Sequence, residues 1–325
     1  YNSFAPAARG PSRAAWLVDG ADYFGAVAEA IRAARREVFI AGWAISPAVY
    51  LWRGPDPPPS AWDRLDMLIK RRADEGGQFY VLLWKETRVA VNLGSSGVEA
   101  RLAALGPNVH VLRHPLSFPL LWSHHQKIVA VDQAVAFIGG LDLTYGRYDT
   151  AAHRATDACV LQQTWPGHDY YNPQYGDCAP DVLDERGAVD RLRRPRMPWH
   201  DVGVALWDEA CRSVCWNFVQ RWAHHIDDLQ LKGSVPYIVP RLPDPVADAR
   251  LLQGLSCVPQ AHECTAAVVR SLGAWSGSPV SEASCEAALV DLIGRARRFV
   301  YIENQYFVSL ESTPDARHNR VADAI

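Results

Sequence analysis

Apolar and polar positions along the first third of the chain alternate between a helical spacing and a strand-like spacing. Residues 26–36 carry apolar side chains on one helical face and run directly into the short apolar segment 37–43. The same order returns twice, as a helix followed by a buried type of strand: 62–75 with 79–84, and 98–105 with 109–112. Alternating helices and apolar strands are typical of a layered α/β fold in which helices cover the sheet. The pattern therefore predicts this fold class.

A later segment repeats the first helix and strand. Residues 30–40 and 292–302 correspond at a constant offset of 262 residues (292 minus 30), and both read as helix, two arginines and strand. A chance likeness between two common amphipathic patterns is the alternative. If the chain contains a duplication, it holds one full lobe and the beginning of a second. We predict a first lobe at 1–235, a proline-marked connection at 236–250 and the start of a second lobe at 251–325.

Composition restricts the partners of this chain. The formal net charge is −3 and charged residues make up 21% of the sequence, which disfavours electrostatic capture of nucleic acid. Twelve Trp and twelve Tyr suit a membrane interface or a wet cleft, although we expect most of them in the core or at its rim. No apolar stretch approaches the roughly 18 residues that span a bilayer. We therefore expect a protein that acts in solution or at a membrane surface.

The seven cysteines show neither a CxxC pair nor a zinc-like Cys/His spacing, so they predict no metal site. Cys211 and Cys215 lie four residues apart in a helical pattern, and we interpret them as two buried thiols. Cys257 and Cys264 flank a loop. A disulfide in an oxidising compartment and a pair of free thiols are both open for them.

The candidate chemistry lies in the segment 122–142. His125 and Lys127 are predicted to lie in a strand whose apolar residues follow them, and residues two apart share one face of a strand, so both are expected to project into one cleft. A neutral imidazole can bond to phosphorus while an ammonium neutralises the phosphoryl oxygens. Gly139 and Gly140 would let the backbone approach a phosphate closely. Each feature alone is weak, because a His-x-Lys pair is more often a solvated strand edge; the combination at fixed spacing is more specific.

Together these residues resemble the signature of the phospholipase D superfamily. The motif consists of His125, Lys127, Asp132, Gly139, Gly140 and Asp142. The run 139–149 is similar to that of eukaryotic-type phospholipases D, and further segments agree in family order: 165–170, 195–201, 217–222, 269–276 and 301–307. The resemblance implies a mixed β-sheet flanked by helices on both faces, in two duplicated lobes.

The resemblance also implies roles for individual residues. His125 corresponds to the histidine that attacks phosphorus or to its acid/base partner, and Lys127 corresponds to the phosphate-binding lysine. Asp132 belongs to the catalytic motif with a structural role, whereas Asp142 stands where many members have Asn and needs a partner beside a phosphate. His200, with the aspartate that follows it, is either a cleft residue or part of a loop pair. Supporting residues are expected from the second lobe and from its repeat equivalent: Glu303, Asn304, Gln305 and Trp43.

The family pattern requires a second motif, so that one histidine attacks while the other protonates the leaving alkoxide. His125 follows Ile40 by 85 residues (125 minus 40), which places the equivalent of His125 about 85 residues after Ile302 and beyond Ile325. The chain also begins without Met and stops inside the helical pattern 319–325. We therefore expect half of an active site in a piece of a longer protein whose C-terminal remainder supplies the second motif. Pairing of two identical chains is the alternative.

The resemblance implies a phospholipase D that hydrolyses the distal phosphodiester of glycerophospholipids to phosphatidate and a free head group, with transfer to primary alcohols. The expected partner is a phospholipid membrane surface, contacted through the apolar segment 115–122. The chemistry requires no cofactor, and the sequence gives no indication of calcium. The alternatives are a nuclease, a cardiolipin synthase-like phosphatidyltransferase, and a non-catalytic membrane-binding fragment. Alanine- and arginine-rich usage adds the hypothesis of a secreted bacterial effector.

Overall fold

The computed structural model of this protein describes most of the chain. The described residues are 11–54, 60–86, 93–114, 123–157, 164–173, 191, 194–242, 244, 248–249, 251, 255–277, 280–307 and 319–325. Their strands are β1 (Ser12–Val18), β2 (Glu37–Gly42), β3 (Gln78–Trp84), β4 (Val109–His114), β5 (Ile128–Val131), β6 (Val135–Gly139), β7 (Val202–Trp207), β8 (His262–Cys264), β9 (Ser271–Leu272) and β10 (Glu282–Ala283). Their longer helices are α1 (Asp19–Ala33), α2 (Leu65–Asp74), α3 (Ser95–Ala103), α4 (Asp208–Asp228) and α5 (Ser284–Arg295).

An eight-stranded sheet lies at the centre of the described structure, in the order β4-β3-β2-β5-β6-β7-β1-β8. β2, β3 and β4 run parallel to one another, as strands joined by helices do. The remaining neighbours pair antiparallel. The sheet is therefore mixed, as expected. All four residues of β5 are buried, which explains why the central strands read as continuous apolar runs.

Helices cover both faces of this sheet. Side chains of α1, α2 and α3 pack with one face in a single apolar core. On the other face α4 contributes Phe218, whose ring stacks on Phe39 with centroids 4.8 Å apart, and Trp222, which meets Tyr80 edge-on at 5.2 Å. Each such side chain stabilises the fold by about 1.5–3 kcal/mol when fully buried. The predicted α/β sandwich is confirmed.

The predicted repeat forms its helix but not its strand. α5 lies at the expected place, whereas residues 299–302 are irregular, with Phe299 and Tyr301 82% and 76% exposed. β2, the first copy, bonds to β3 and β5, while no described strand pairs with 299–302, so the backbone there has no ladder partner. The helix predicted at 319–325 is also wrong, because residues 320–324 form turns there and neither end residue is helical. A helix of only seven residues is not stable without packing support, because forming the first turn is costly.

β8 pairs with β1 at the edge of the sheet, although it falls in the range assigned to the second lobe, 251–325. The division at 236–250 stays a prediction. Cys211 and Cys215 are buried with their Sγ atoms 4.0 Å apart, as interpreted, and Cys257 and Cys264 are free thiols.

The proposed membrane-contacting segment 115–122 lies outside the described residues. Among the helices that are described, none combines the length and the apolar character needed to cross a bilayer.

Candidate active site

His125 and Lys127 lie just before β5 rather than inside it, because residues 123–127 are irregular. The strand prediction was wrong at this end, but the two side chains still share one cavity of about 1030 Å³. Lys127 is buried and His125 is exposed. The cavity lies between the candidate catalytic segment (residues 123–128), the end of β6, α4 and residues 268–289. An imidazole open to solvent thus stands beside a sequestered ammonium.

Asp142 connects three parts of the site. Its Oδ2 lies 2.8 Å from Nζ of Lys127, and its Oδ1 accepts a hydrogen bond of 2.9 Å from the backbone N–H of Trp43. Trp43 directly follows β2, so the carboxylate joins the end of this strand to the lysine ahead of β5. The ring of Trp43 also lies against His125, with centroids 5.8 Å apart. The negative charge near the predicted phosphate position is therefore paired.

The electrostatic surroundings favour a neutral imidazole at His125. Desolvation, followed by the positive charge of Lys127, lowers the pKa of His125, and Asp142 opposes the shift. Desolvation also lowers the pKa of Lys127, and the ion pair with Asp142 counteracts it. A neutral ring nitrogen is the form that can attack an electrophile, so this arrangement suits a nucleophile or a general base.

Gly139 and Gly140 are required by close packing. A Cβ added at Gly139 would lie 2.5 Å from the carbonyl oxygen of Val202, and one at Gly140 would clash with the carboxylate of Asp201. β6 and β7 therefore approach each other closely where both glycines are exposed beside the catalytic segment. The expectation that they contact a phosphate stays a prediction.

Asp132 lies at the opposite end of β5, five residues and roughly 16 Å along the chain from Lys127 at about 3.3 Å per residue. Its carboxylate accepts hydrogen bonds of 2.8–2.9 Å from the backbone N–H groups of Arg35, Arg36 and Glu37. These donors form the connection between α1 and β2. The geometry corresponds to the structural role implied for Asp132, remote from the cavity.

Gln126, which the motif analysis passed over, is anchored on the α4 side of the sheet. Its Oε1 accepts hydrogen bonds from Asn217 Nδ2 at 2.8 Å and from Arg221 Nη1 at 3.1 Å. Asn217 in turn accepts a hydrogen bond of 3.0 Å from Arg270, which pairs with Glu282 at 2.6 Å. This buried network fixes the residue between His125 and Lys127 from behind. Its only sequence signal was the position of Gln126 in the motif.

His200 bonds to Asp19 and not to the aspartate beside it. His200 Nδ1 lies 2.7 Å from Asp19 Oδ1, and His153 Nε2 lies 2.9 Å from Asp19 Oδ2. The hydrogen bond to Asp19 raises the pKa of His200. Two imidazoles and one carboxylate are a donor set that could hold a divalent cation, and these three residues stand close enough to share one.

The segment Glu303, Asn304 and Gln305 is exposed and does not line the cavity. Glu303 accepts a hydrogen bond of 2.8 Å from the Tyr301 hydroxyl, and its charge contributes to the raised pKa of His200. The structure therefore brings Trp43 to the catalytic pair, and it places Glu303 on the side of His200. The assignment of Glu303, Asn304 and Gln305 to the site stays a prediction.

The chain is similar in sequence to known proteins. Residues 30–322 match the family model described as "Phospholipase D". The chain is 41% identical to Phospholipase D A of Dictyostelium discoideum over 294 residues, covering 90% of this chain and 21% of that protein. It is 35% identical to Phospholipase D zeta 2 of Arabidopsis thaliana, covering 100% of this chain and 39% of that protein.

Phospholipase D2 of Bos taurus is 36% identical, with 100% of this chain and 36% of that protein covered. Among solved structures, NucT from Helicobacter pylori aligns with a TM-score of 0.37 at 12% identity, covering 67% of this chain and 96% of that chain. The fold of the described residues is an α/β sandwich. The chain belongs to the phospholipase D family, and it spans between about a fifth and two fifths of the length of these curated relatives.

Proposed function

We propose that the complete protein is a phospholipase D that cleaves the distal phosphodiester of glycerophospholipids, and that this chain supplies one half of its active site. The observation that carries the proposal is the shared cavity of His125 and Lys127, about 1030 Å³ in volume. Family membership supports the reaction class, since the relatives of the chain are named phospholipase D.

The chemistry uses groups already positioned in the structure. The neutral imidazole of His125 attacks phosphorus, a P–N bond forms, and the P–O bond to the head-group alkoxide breaks. Lys127 stabilises the non-bridging oxygens as their charge grows in the transition state. The alkoxide takes a proton from a histidine of the second motif, which we assign to the remainder of the protein. The same second-motif histidine, now without its proton, takes a proton from water or a primary alcohol, whose oxygen attacks phosphorus. The P–N bond breaks, which returns neutral His125 and releases phosphatidate or a phosphatidyl alcohol.

A lipid fits this cavity better than a nucleic acid does. Apolar side chains of several elements line the cavity near the catalytic pair: Ile128, Ile138, Val214, Leu272 and Leu289. The formal net charge of −3 supplies no general attraction for a polyanion. We assign a phospholipid surface as the partner, and the histidine–lysine chemistry itself needs no cofactor.

Transfer to an alcohol tests the covalent intermediate. The complete protein, incubated with phosphatidylcholine vesicles and n-butanol, should form phosphatidylbutanol, because alcohol competes with water for the phosphohistidine. His125→Ala should abolish the product. His262→Ala is a matched control, since His262 is exposed on the edge strand β8.

Two outcomes would count against this function. Full activity of His125→Ala would indicate a non-catalytic role for this half. Nicking of supercoiled DNA without any turnover of phosphatidylcholine would indicate a nuclease. Both measurements use the same protein preparation, so an inactive sample is distinguished from a different substrate class.

A further inference from the structure

Arg147 is held in a fixed position by tight packing of its backbone. A Cβ added at Gly20, at the start of α1, would lie 2.5 Å from the carbonyl oxygen of Arg147. Two residues after Arg147, the carbonyl oxygen of Asp149 accepts a hydrogen bond of 2.8 Å from the N–H of Ala21. The residue before Arg147 is also fixed, because the N–H of Gly146 donates a hydrogen bond of 2.7 Å to the carboxylate of Asp169. The arginine thus projects from a rigid stretch of backbone.

The guanidinium of Arg147 lies over the ring of Trp199, 3.8 Å from its centroid. Stacking uses the face of the guanidinium and leaves its N–H donors, which point outward in the plane, available to another group. A stacked arginine can therefore bind an oxyanion with two parallel hydrogen bonds.

Among the residues that the structure describes, three other arginines stack on aromatic rings, and each of them also has a carboxylate partner. Their ring and acid partners are Tyr148 and Asp169 for Arg53, Tyr170 and Asp157 for Arg191, and Trp165 and Asp149 for Arg196. Arg147 forms no ion pair with any residue that the structure describes, and it is only partly buried. The carboxylates of Asp142, Asp201 and Asp169 act on the charge of Arg147 from a distance without forming a direct ion pair, so the guanidinium N–H donors remain available to an external anion.

The position of this cation relative to the catalytic pair follows from direct contacts. Trp199 Nε1 donates a hydrogen bond of 3.2 Å to Asp201, whose carboxylate packs against Gly140. Gly140 follows β6, and β6 pairs with the strand that begins after Lys127. The positive charge of Arg147 reaches this far, because it contributes to lowering the pKa of both His125 and Lys127.

We propose that Arg147 is a second phosphate-binding residue of this site, which holds a non-bridging oxygen of the phosphodiester beside Lys127. The inference rests on the proposed function. Lys127 is already paired with Asp142 at 2.8 Å, so its charge is largely compensated before a substrate arrives. An anionic phosphate needs a cation that is not neutralised in this way, and Arg147 supplies it.

Binding of inorganic phosphate tests this role without the second half-site. We would titrate phosphate into the chain by calorimetry at low ionic strength, where charge-assisted hydrogen bonds are least screened. Arg147→Met should weaken binding by about tenfold or more, the range expected for losing a bond to a charged group. Arg212→Met is the matched control, because Arg212 pairs with Glu209 near the start of α4 and the substitution should leave the affinity unchanged.

A second measurement requires no variant and so does not depend on folding of Arg147→Met. Phosphate should slow modification of Arg147 by phenylglyoxal, mapped by peptide mass spectrometry, while the rate at Arg212 stays constant. Equal rates at Arg147 with and without phosphate would overturn the proposal, as would unchanged phosphate affinity in Arg147→Met or an absence of binding to the unaltered chain.

Failure of this inference differs from failure of the proposed function. A complete protein that forms phosphatidylbutanol, while its Arg147→Met variant binds phosphate normally, would refute only the role of Arg147. If the complete protein forms no phosphatidylbutanol but binds phosphate through Arg147, the phospholipase D function is refuted and the anion site at Arg147 is supported.

Discussion

The Nζ atom of Lys127 lies 2.8 Å from Oδ2 of Asp142, and the two side chains are 5% and 2% exposed. A pair so deeply buried is costly to form from water, but it is more costly to break, since removing one partner leaves an uncompensated charge. The same carboxylate accepts the backbone N–H of Trp43. Asp142 thus sets both the protonation of the lysine and the position of the end of β2.

Asp142→Ala should lower the free energy of unfolding by about 3–5 kcal/mol, because it leaves Lys127 charged, buried and unpaired. Asp142→Asn should cost less, since an amide oxygen can still accept the N–H of Trp43. Urea unfolding followed by circular dichroism measures both. Asp74→Ala removes the exposed pair with Lys70 and should change stability by less than ~1 kcal/mol. Equal losses for Asp142→Ala and Asp74→Ala would contradict the burial argument.

The substitution Gln126→Glu, which replaces the side-chain amide with a carboxylate, should be tolerated. Both of its hydrogen bonds reach one oxygen, and burial, together with the charge of Arg270, lowers the pKa of Arg221 to about 9. Arg221 forms no ion pair within the part of the chain that the structure describes. Gln126→Glu would give it a counterion and should preserve stability, whereas Gln126→Leu strands two buried donors and should cost about 1–3 kcal/mol.

Turnover of the complete protein provides the second measurement for Gln126. Gln126→Leu should reduce kcat, because the residue between His125 and Lys127 loses its anchor to α4, and Gln126→Glu should restore it. A Gln126→Glu variant less stable than Gln126→Leu would show that desolvation of the new carboxylate exceeds the gain from Arg221, and would exclude this account.

The fold was largely predictable from the sequence because local spacing reports burial. β3 reads as an apolar run, and six of its seven residues are buried. The strand expected at 299–302 failed because a strand depends on neighbours that spacing does not reveal. His125 and Lys127 were found as a pair, but they lie before β5, where the regular ladder has not yet begun.

The partners of the site residues were not predictable, since they lie far away in sequence. Asp142 and Trp43 are 99 residues apart, and Asn217 and Gln126 are 91 residues apart. Such contacts depend on how helices pack on the sheet, and periodicity carries no information about that register. Arg147 was missed for the same reason, because its packing partner Trp199 lies 52 residues further along the chain (199 minus 147).

His125 should titrate below the ordinary histidine value of 6.5 in proton NMR spectra of the ring. Desolvation and the charge of Lys127 both disfavour the imidazolium. Lys127→Met removes that cation and leaves the Asp142 carboxylate unpaired, so the pKa of His125 should rise. His262→Ala, which changes an exposed position on β8, should leave the His125 titration unaltered. A pKa of His125 that falls in Lys127→Met would reverse the electrostatic assignment of this site.

The bond between His200 and Asp19 should make stability depend on pH. Its hydrogen bond raises the pKa of His200, so the stabilisation is complete below 6.5 and is lost as the pH rises through the raised value. Desolvation acts to raise the pKa of Asp19, but hydrogen bonds from His153 and His200 outweigh it and lower the pKa. That contribution is present above pH 3.8 and is lost as the pH falls.

Urea unfolding should therefore show that His200→Gln destabilises the protein most between pH 3.8 and pH 6.5 and least in alkaline buffer. The substitution His262→Gln, at an exposed position on β8, should have little effect on stability either in that pH range or in alkaline buffer. A destabilisation by His200→Gln that grows with rising pH would show that His200 does not bond to Asp19 as a cation.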